Sequence, residues 1–79
     1  MQEKKLTREE LINKIKHTYS KDELLDLSGF DLSGVDLKNV DISESCLIET
    51  NLEGANLKGA VIGESDLRKS NLIGADLPT

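Results

Sequence analysis

Every fifth residue from position 27 to position 77 is leucine or isoleucine, without a gap. We call each of these residues the centre of a five-residue unit; the eleven centres are Leu27, Leu32, Leu37, Ile42, Leu47, Leu52, Leu57, Ile62, Leu67, Leu72 and Leu77. On an α-helix, steps of five advance by about 500°, so the centres would not share a face. On an uninterrupted strand, inward positions recur every two residues, and five is odd. The period therefore predicts a chain that turns once per unit and buries its centres as a structural core.

The residues around each centre also repeat. The residue before the centre is Asp or Asn in nine of the eleven units, and the exceptions are Cys46 and Val61. The residue two before the centre is small from Ser45 onward and bulky in the four earlier units, where it is Leu25, Phe30, Val35 and Val40. Five glycines lie two residues after a centre: Gly29, Gly34, Gly54, Gly59 and Gly74. Asp, Asn and Gly favour turns, and Gly suits a turn position with positive φ.

A longer period indicates how many units close one coil. Gly34, Gly54 and Gly74 recur every twenty residues. Twenty residues contain four units, which predicts a coil with four sides. Eleven units then give just under three coils.

Two stretches of the repeat point to a known family. The runs Ala55-Asn56-Leu57-Lys58-Gly59 and Ser70-Asn71-Leu72-Ile73-Gly74 resemble the pentapeptide-repeat family, whose consensus is A-(D/N)-L-x-x. The resemblance covers residues 25–79. It implies an all-β solenoid, namely a right-handed quadrilateral β-helix. This implication agrees with the independent twenty-residue period.

The N-terminal segment has a different pattern. Thr7 and Glu10 form a capping-box pattern at a helix start. Leu11, Ile12, Ile15 and Tyr19 then fall at helical spacing on one face. We therefore predict an amphipathic helix from about residue 8 to residue 18. In this division, residues 1–20 form a helical cap over the first end of the solenoid and residues 21–79 form the repeat domain.

Charge is unevenly distributed along the chain, whose net charge is −5. Residues 1–21 hold six basic and three acidic residues, whereas residues 22–79 hold four basic and twelve acidic residues. The repeat domain is therefore near −8, which argues against direct binding of nucleic acid phosphates. No apolar run has the length of a membrane span, and no signal-peptide pattern follows Met1. We expect a cytoplasmic protein that does not enter the membrane.

The sequence offers few residues for chemistry. The only histidine, His17, is expected on the helix surface, and the single cysteine, Cys46, has no basic neighbour that would make it a reactive thiol. The Asp and Asn residues before the centres are spread over four sides, so they do not converge on calcium. Glu44 and Glu64 form a carboxylate pair on neighbouring coils, but an exposed pair lacks the cleft that catalysis needs. We predict no catalytic, cofactor-binding or metal-binding residues, and a basic helix face that is solvated.

The expected function follows from the shape. We predict a non-catalytic structural or protein-interaction module whose C-terminal coil lacks a cap. Two alternatives remain open for that end: two chains stack into a homodimer, or the sequence is a fragment of a longer repeat protein. The resemblance implies one further alternative, an acidic DNA mimic that modulates a type II topoisomerase such as gyrase. The sequence does not identify the partner or the biological role.

Overall fold

The computed structural model describes residues 4–21 and 23–78, and the side chain of Tyr19 lies outside the description. A short strand, β1 (Lys4–Lys5), precedes a single helix, α1 (Arg8–Lys21), and a second short strand, β2 (Phe30–Asp31), lies in the first repeats. β1 pairs with β2 in parallel, with Lys4 opposite Phe30 and Lys5 opposite Asp31. Within the described residues, no helix combines the length and apolar character that a membrane span requires.

Beyond β2, the chain forms turns connected by single parallel bridges. Each bridge joins residues that are twenty positions apart: Asp26 to Cys46, Asp31 to Asn51, Asp36 to Asn56, Asp41 to Val61, Cys46 to Asp66, Asn51 to Asn71 and Asn56 to Asp76. The chain therefore coils with twenty residues per coil, and units twenty residues apart stack into what we call a column. This register matches the recurrence of glycines in the sequence. The right-handed sense and the square cross-section stay predictions.

Each unit is closed by a tight turn. The N–H three residues after a centre donates to the carbonyl of that centre, as from Val35 to Leu32 at 3.1 Å and from Ala55 to Leu52 at 3.0 Å. The residue two after the centre has a positive φ, which is the pattern of a type II turn. Glycine occupies this position in five turns, and the residues Asn39, Glu44, Glu49, Glu64 and Lys69 occupy it in five others. The sequence predicted a positive φ at this position, and the backbone has one there in both the glycine and the non-glycine turns.

The Asp or Asn before each centre has a specific task in the turn. Its side-chain oxygen accepts a hydrogen bond from the backbone N–H of the residue after the centre, as in Asp41 with Ser43 and Asn51 with Glu53, both at 3.0 Å. Such Asx turns explain why Asp and Asn recur at this position. Cys46 and Val61 stand at the same position without an oxygen that could make this bond.

The centres fill the interior. Leu27, Leu32, Leu37, Leu47 and Leu52 are fully buried, and Ile42 and Leu57 are 1% and 2% exposed. The small residues two before them complete the core, since Ala55 is fully buried and Ala60 is 6% exposed. Two of these inward residues are polar and satisfied within the chain: the Thr50 hydroxyl donates to the Leu27 carbonyl at 2.7 Å, and the Ser45 hydroxyl donates to the Ile42 carbonyl.

The helix α1 begins with the predicted capping box. The backbone N–H of Glu10 donates to the Thr7 hydroxyl at 3.2 Å, and the backbone N–H of Thr7 donates to the Glu10 carboxylate at 2.9 Å. Both bonds satisfy donors that a helix start leaves unpaired, so the prediction of a capping box is confirmed. These bonds also lower the pKa of Glu10, the backbone bond from Thr7 most strongly. The helix runs to Lys21, three residues beyond the predicted end.

Candidate protein-interaction surface

The two ends of the coil differ in how well they are covered. At the start, Leu6 follows β1 and is 3% exposed, and its N–H donates to the Asp31 carbonyl at 3.0 Å. The centres inside the repeat make the same bond to the next coil, as from Leu32 to the Asn51 carbonyl at 2.7 Å. Leu6 therefore takes the place that a centre would have in one further coil below the first. Sequence analysis missed it because residue 6 is out of phase with the period that passes through residue 27.

Two basic side chains complete the closure of the N-terminal end. The ammonium group of Lys5 donates to the Ser33 carbonyl at 2.6 Å. The guanidinium of Arg8 donates to the Asp36 carbonyl at 2.6 Å and to the Lys38 carbonyl at 3.4 Å. In the later coils, the equivalent carbonyls accept from backbone N–H groups of the coil below. Lys5 and Arg8 thus stand in for a missing coil, whereas the sequence suggested that the basic side chains of this segment are only solvated.

The predicted cap residues contribute unequally. Leu11 is fully buried in the core, and Ile15 is partly buried and packs against it. Ile12, the next residue of α1 after Leu11, is also partly buried. The prediction for Tyr19 concerns a side chain that lies outside the described part of the chain. The cap therefore depends on Leu6, Leu11 and Ile15 together with the hydrogen bonds of Lys5 and Arg8.

The C-terminal end is open. We define it by the last centre in each column, namely Ile62, Leu67, Leu72 and Leu77. The first three are only partly buried, and Leu77 is 46% exposed. The prediction that Leu77 belongs to the buried core is wrong, because no coil in the described chain lies above it. Ile73, in the last turn of the second column, is 71% exposed and extends this apolar surface to the side.

The charges near the C-terminal end include both signs. The Arg68 guanidinium lies 2.8 Å from the Asp66 carboxylate, and the Lys58 ammonium lies 3.7 Å from the Asp76 carboxylate. Both pairs are exposed, so their contribution to stability is small. The pKa of Asp66 lies below its ordinary value, and the hydrogen bonds from the Arg68 side chain are the largest cause. The rim of the open end therefore carries compensated charge around an apolar centre.

The acidic side chains along the columns are tied to the fold. Hydrogen bonds from the Ser28 hydroxyl and then its N–H lower the pKa of Asp26, and Ser43 lowers the pKa of Asp41 in the same order. The Ser28 hydroxyl lies 2.6 Å from the Asp26 carboxylate. These carboxylates thus bind their own turns and are poor candidates for general acids or bases.

The other candidate residues do not come together as a reactive site. His17, Glu44 and Glu64 are exposed, and Cys46 is partly exposed in the first column between Asp26 and Asp66. Among residues 4–21 and 23–78, no three His, Cys, Asp or Glu side chains are placed to hold a metal ion.

A groove lies between α1 and the first coil. This groove has a volume of about 520 Å³ and contains exposed Leu24, partly buried Leu25 and Phe30, and the side chain of His17. The Lys14 ammonium lies 5.0 Å from the centroid of the Phe30 ring, a cation–π distance. Three acidic residues, Glu10, Glu23 and Asp26, line the groove together with Lys4 and Lys14. The opposing charges nearly cancel, so the lining favours no particular charge in a ligand.

Comparison with known proteins agrees with this architecture. The profile of a family described as pentapeptide repeats matches residues 25–54 and 45–78, with eight copies of the repeat. No curated protein sequence shows significant similarity to the chain. The matched residues include every bridged column of the coil and leave out residues 1–24, which contain β1 and α1, and residue 79. The chain is therefore a β-helix-type solenoid that belongs to the pentapeptide-repeat family.

Proposed function

We propose that this chain is a non-catalytic protein-interaction module of the cytoplasm that binds its partner through the C-terminal end. One observation carries the proposal: the centres are 0–2% exposed from Leu27 to Leu57, but the last four, up to Leu77 at 46%, are incompletely covered. An apolar surface with a polar rim is typical of protein-binding sites. Among the described residues, β1, Leu6 and α1 cover the N-terminal end, so the exposed centres lie at the C-terminal end.

The proposed architecture makes this end a rigid platform. We infer a right-handed quadrilateral β-helix of just under three coils, with the cap of β1, Leu6 and α1 at its start. Every centre below the last coil is held by core packing and by hydrogen bonds to the next coil, as from Leu47 to the Asp66 carbonyl at 2.8 Å. A platform of this kind loses little conformational entropy when a partner binds.

A non-catalytic role is supported by how the polar side chains are used. The Asp and Asn residues accept hydrogen bonds from their own turns, as Asn56 does from the Lys58 N–H at 3.1 Å. Apart from Phe30, the inward residues are aliphatic or small, and the centres from Leu27 to Leu57 are 0–2% exposed. Members of the pentapeptide-repeat family are generally structural modules without enzymatic activity.

Two protein occupants fit the C-terminal end. A second copy stacked on it would form a homodimer, as expected from the sequence. Further repeats, in a partner or in a longer form of this protein, would cover it in the same way that Leu47 covers Leu27. Both occupants would complete the burial of the four last centres, and because these are already partly covered each would gain less than the roughly 1.5–3 kcal/mol of a fully exposed aliphatic side chain.

Site-specific photo-crosslinking tests the proposal without assuming which occupant binds. A photoreactive phenylalanine replaces Ile73, beside the open end, or Leu24, beside α1; both residues are large, apolar and more than 70% exposed. In cells that express the protein, we expect a discrete adduct from position 73 and none of comparable yield from position 24. An adduct of twice 8.7 kDa identifies a second copy, and any other mass identifies a different partner.

A further substitution shows whether the adduct depends on the open end. Leu77→Asp places a carboxylate among the exposed centres and should remove the adduct at position 73 while circular dichroism stays unchanged. If position 73 gives no adduct, or if Leu77→Asp leaves the adduct intact, the C-terminal end is not an interaction surface and the proposal fails.

A further inference from the structure

The hydrogen-bonding groups at the two ends of the coil are opposite in kind. Between coils, each unit from Leu27 to Leu52 gives two N–H groups to the coil above it, and the unit of Leu57 gives one. Leu47 and Glu49, for example, donate to the carbonyls of Asp66 and Arg68 at 2.8 and 3.1 Å. Each unit receives one N–H in return, as the Ser45 carbonyl does from Asp66 at 3.0 Å. A coil therefore presents two donors and one acceptor per unit on its C-terminal side, and two acceptors and one donor on its N-terminal side.

The C-terminal end exposes this donor-rich side. Seven backbone N–H groups point to the position of the next coil and have no acceptor among the described residues: Ile62, Glu64, Leu67, Lys69, Leu72, Gly74 and Leu77. The corresponding acceptors are fewer, namely the carbonyls of Ala60, Ser65, Ser70 and Ala75. At the N-terminal end, Leu6, Lys5 and Arg8 donate to four of the outward carbonyls of the first coil, those of Asp31, Ser33, Asp36 and Lys38. These four carbonyls take their donors from outside the repeat.

From this asymmetry, and resting on the proposed function, we infer that the C-terminal end binds the carbonyl-rich N-terminal edge of another pentapeptide coil running in the same direction. Such an edge offers two carbonyls per unit at the spacing of the two exposed N–H groups, and aliphatic centres to cover Leu67 and Leu72. Two C-terminal ends facing each other would instead bring donors against donors. With seven donors and four acceptors on each end, at least three donors of each chain would then be buried without an acceptor, which is costly.

The same reasoning specifies which coil is a suitable partner. In a second copy, Leu6, Lys5 and Arg8 already pair four carbonyls of this edge, and α1 packs over the same end through Leu11 and Ile15. The partner is therefore a pentapeptide coil whose N-terminal edge is uncovered. Recognition is a form of β-augmentation, in which main-chain hydrogen bonds supply affinity and side chains supply specificity.

A peptide with the sequence of residues 50–69 is a suitable probe. It contains four complete units with small inward residues, no cysteine and no cap. In the intact chain, its carbonyls at Asn51, Glu53 and Asn56 already accept from the coil below. Titration of the ¹⁵N-labelled full chain with this peptide, up to about 1 mM, should shift the amide signals of Leu67, Lys69, Leu72 and Gly74. Their hydrogen exchange should slow by about tenfold, while the amide of Gly29 at the closed end stays unchanged.

Controls separate this inference from the proposed function. A scrambled peptide of the same composition should leave all signals in place. The inference is overturned if the peptide of residues 50–69 causes no shift, or if the same amides become protected without peptide while light scattering gives twice 8.7 kDa. In either case, an adduct at position 73 would still support an interaction surface at the C-terminal end.

Discussion

The same substitution should have opposite effects at two glycines of the coil. Gly54 and Gly63 are both exposed, and a methyl group added to either would meet no atom within 4 Å. Gly54 has a φ of +69°, whereas Gly63, one residue after its centre, lies outside the left-handed region. Left-handed backbone costs an L-residue roughly 1–2 kcal/mol. Replacing Gly by Ala restricts the unfolded chain, which stabilises by about 0.4–1 kcal/mol.

These two terms give a prediction for each site. Gly63→Ala gains only the unfolded-state term and should stabilise the protein by about 0.4–1 kcal/mol. Gly54→Ala carries both terms, which oppose each other, and should destabilise it by up to about 1.6 kcal/mol. For a domain of this size, each kcal/mol corresponds to a change in Tm of about 4–8 °C. Gly59 is unsuitable as a test position because the Asn39 side chain occupies the space of its added methyl group.

Urea unfolding followed by circular dichroism measures both variants. The two variants should share the wild-type dependence on urea, because neither changes the surface that unfolding exposes. The argument from backbone conformation is refuted if both variants shift the midpoint in the same direction, or if Gly54→Ala is the more stable one.

Four further results are expected. Val61→Asn supplies the oxygen that its turn lacks, so it should stabilise the protein by about 0.5–1.5 kcal/mol; in urea unfolding, Val61→Ala should not reproduce this gain. Asp41 has a pKa below its ordinary value of 3.8, so its contribution to stability is present above that value and is lost as the pH falls through the folded pKa. Asp41→Asn keeps an acceptor but cannot titrate, and its unfolding free energy should therefore decline less than wild type between about pH 5 and pH 2; an unchanged decline would mean that this carboxylate is not linked to folding. Arg8→Met removes two bonds to first-coil carbonyls and should lower thermal stability by about 1 kcal/mol, while Lys16→Met, on an exposed part of α1, should leave Tm unchanged. Gyrase supercoiling should be unaffected by micromolar protein, and inhibition would favour the DNA-mimic hypothesis over the interaction module.

The interior of the coil was accessible to sequence reasoning because its periodicity is strict. The spacing of Leu27, Leu47 and Leu67 is sufficient to place them in one column, and the bridges from Asp26 to Cys46 and from Cys46 to Asp66 have that register. The turn residue could be anticipated from Gly34 and Gly54. The Asx turns could also have been anticipated, because Asp and Asn at a fixed distance from a turn commonly accept from its N–H.

The way in which the N-terminal end is covered could not be predicted from the sequence. β1 has two residues, and both are lysines with low strand propensity. β1 pairs with β2 because the edge of the first coil is unpaired. This is a tertiary effect, and the local sequence of β1 does not predict it. The roles of Lys5 and Arg8 have the same origin, since a basic side chain near a helix start usually faces solvent. At the other end, the exposure of Leu77 could not be read from its phase, which is identical to that of the buried Leu57.

The register of twenty residues constrains how such a chain can change length in evolution. Duplication of four consecutive units would return every later residue to its own column, so that Asn51 and Asn71 would keep matching neighbours. Insertion of one unit would preserve the aliphatic interior but would advance every later residue by one column. An insertion before Asp66, for example, would move that carboxylate from above Cys46 to above Asn51. Every exposed side chain that follows would then lie above a different residue of the coil below. We therefore expect related genes to differ by multiples of twenty codons more often than by five.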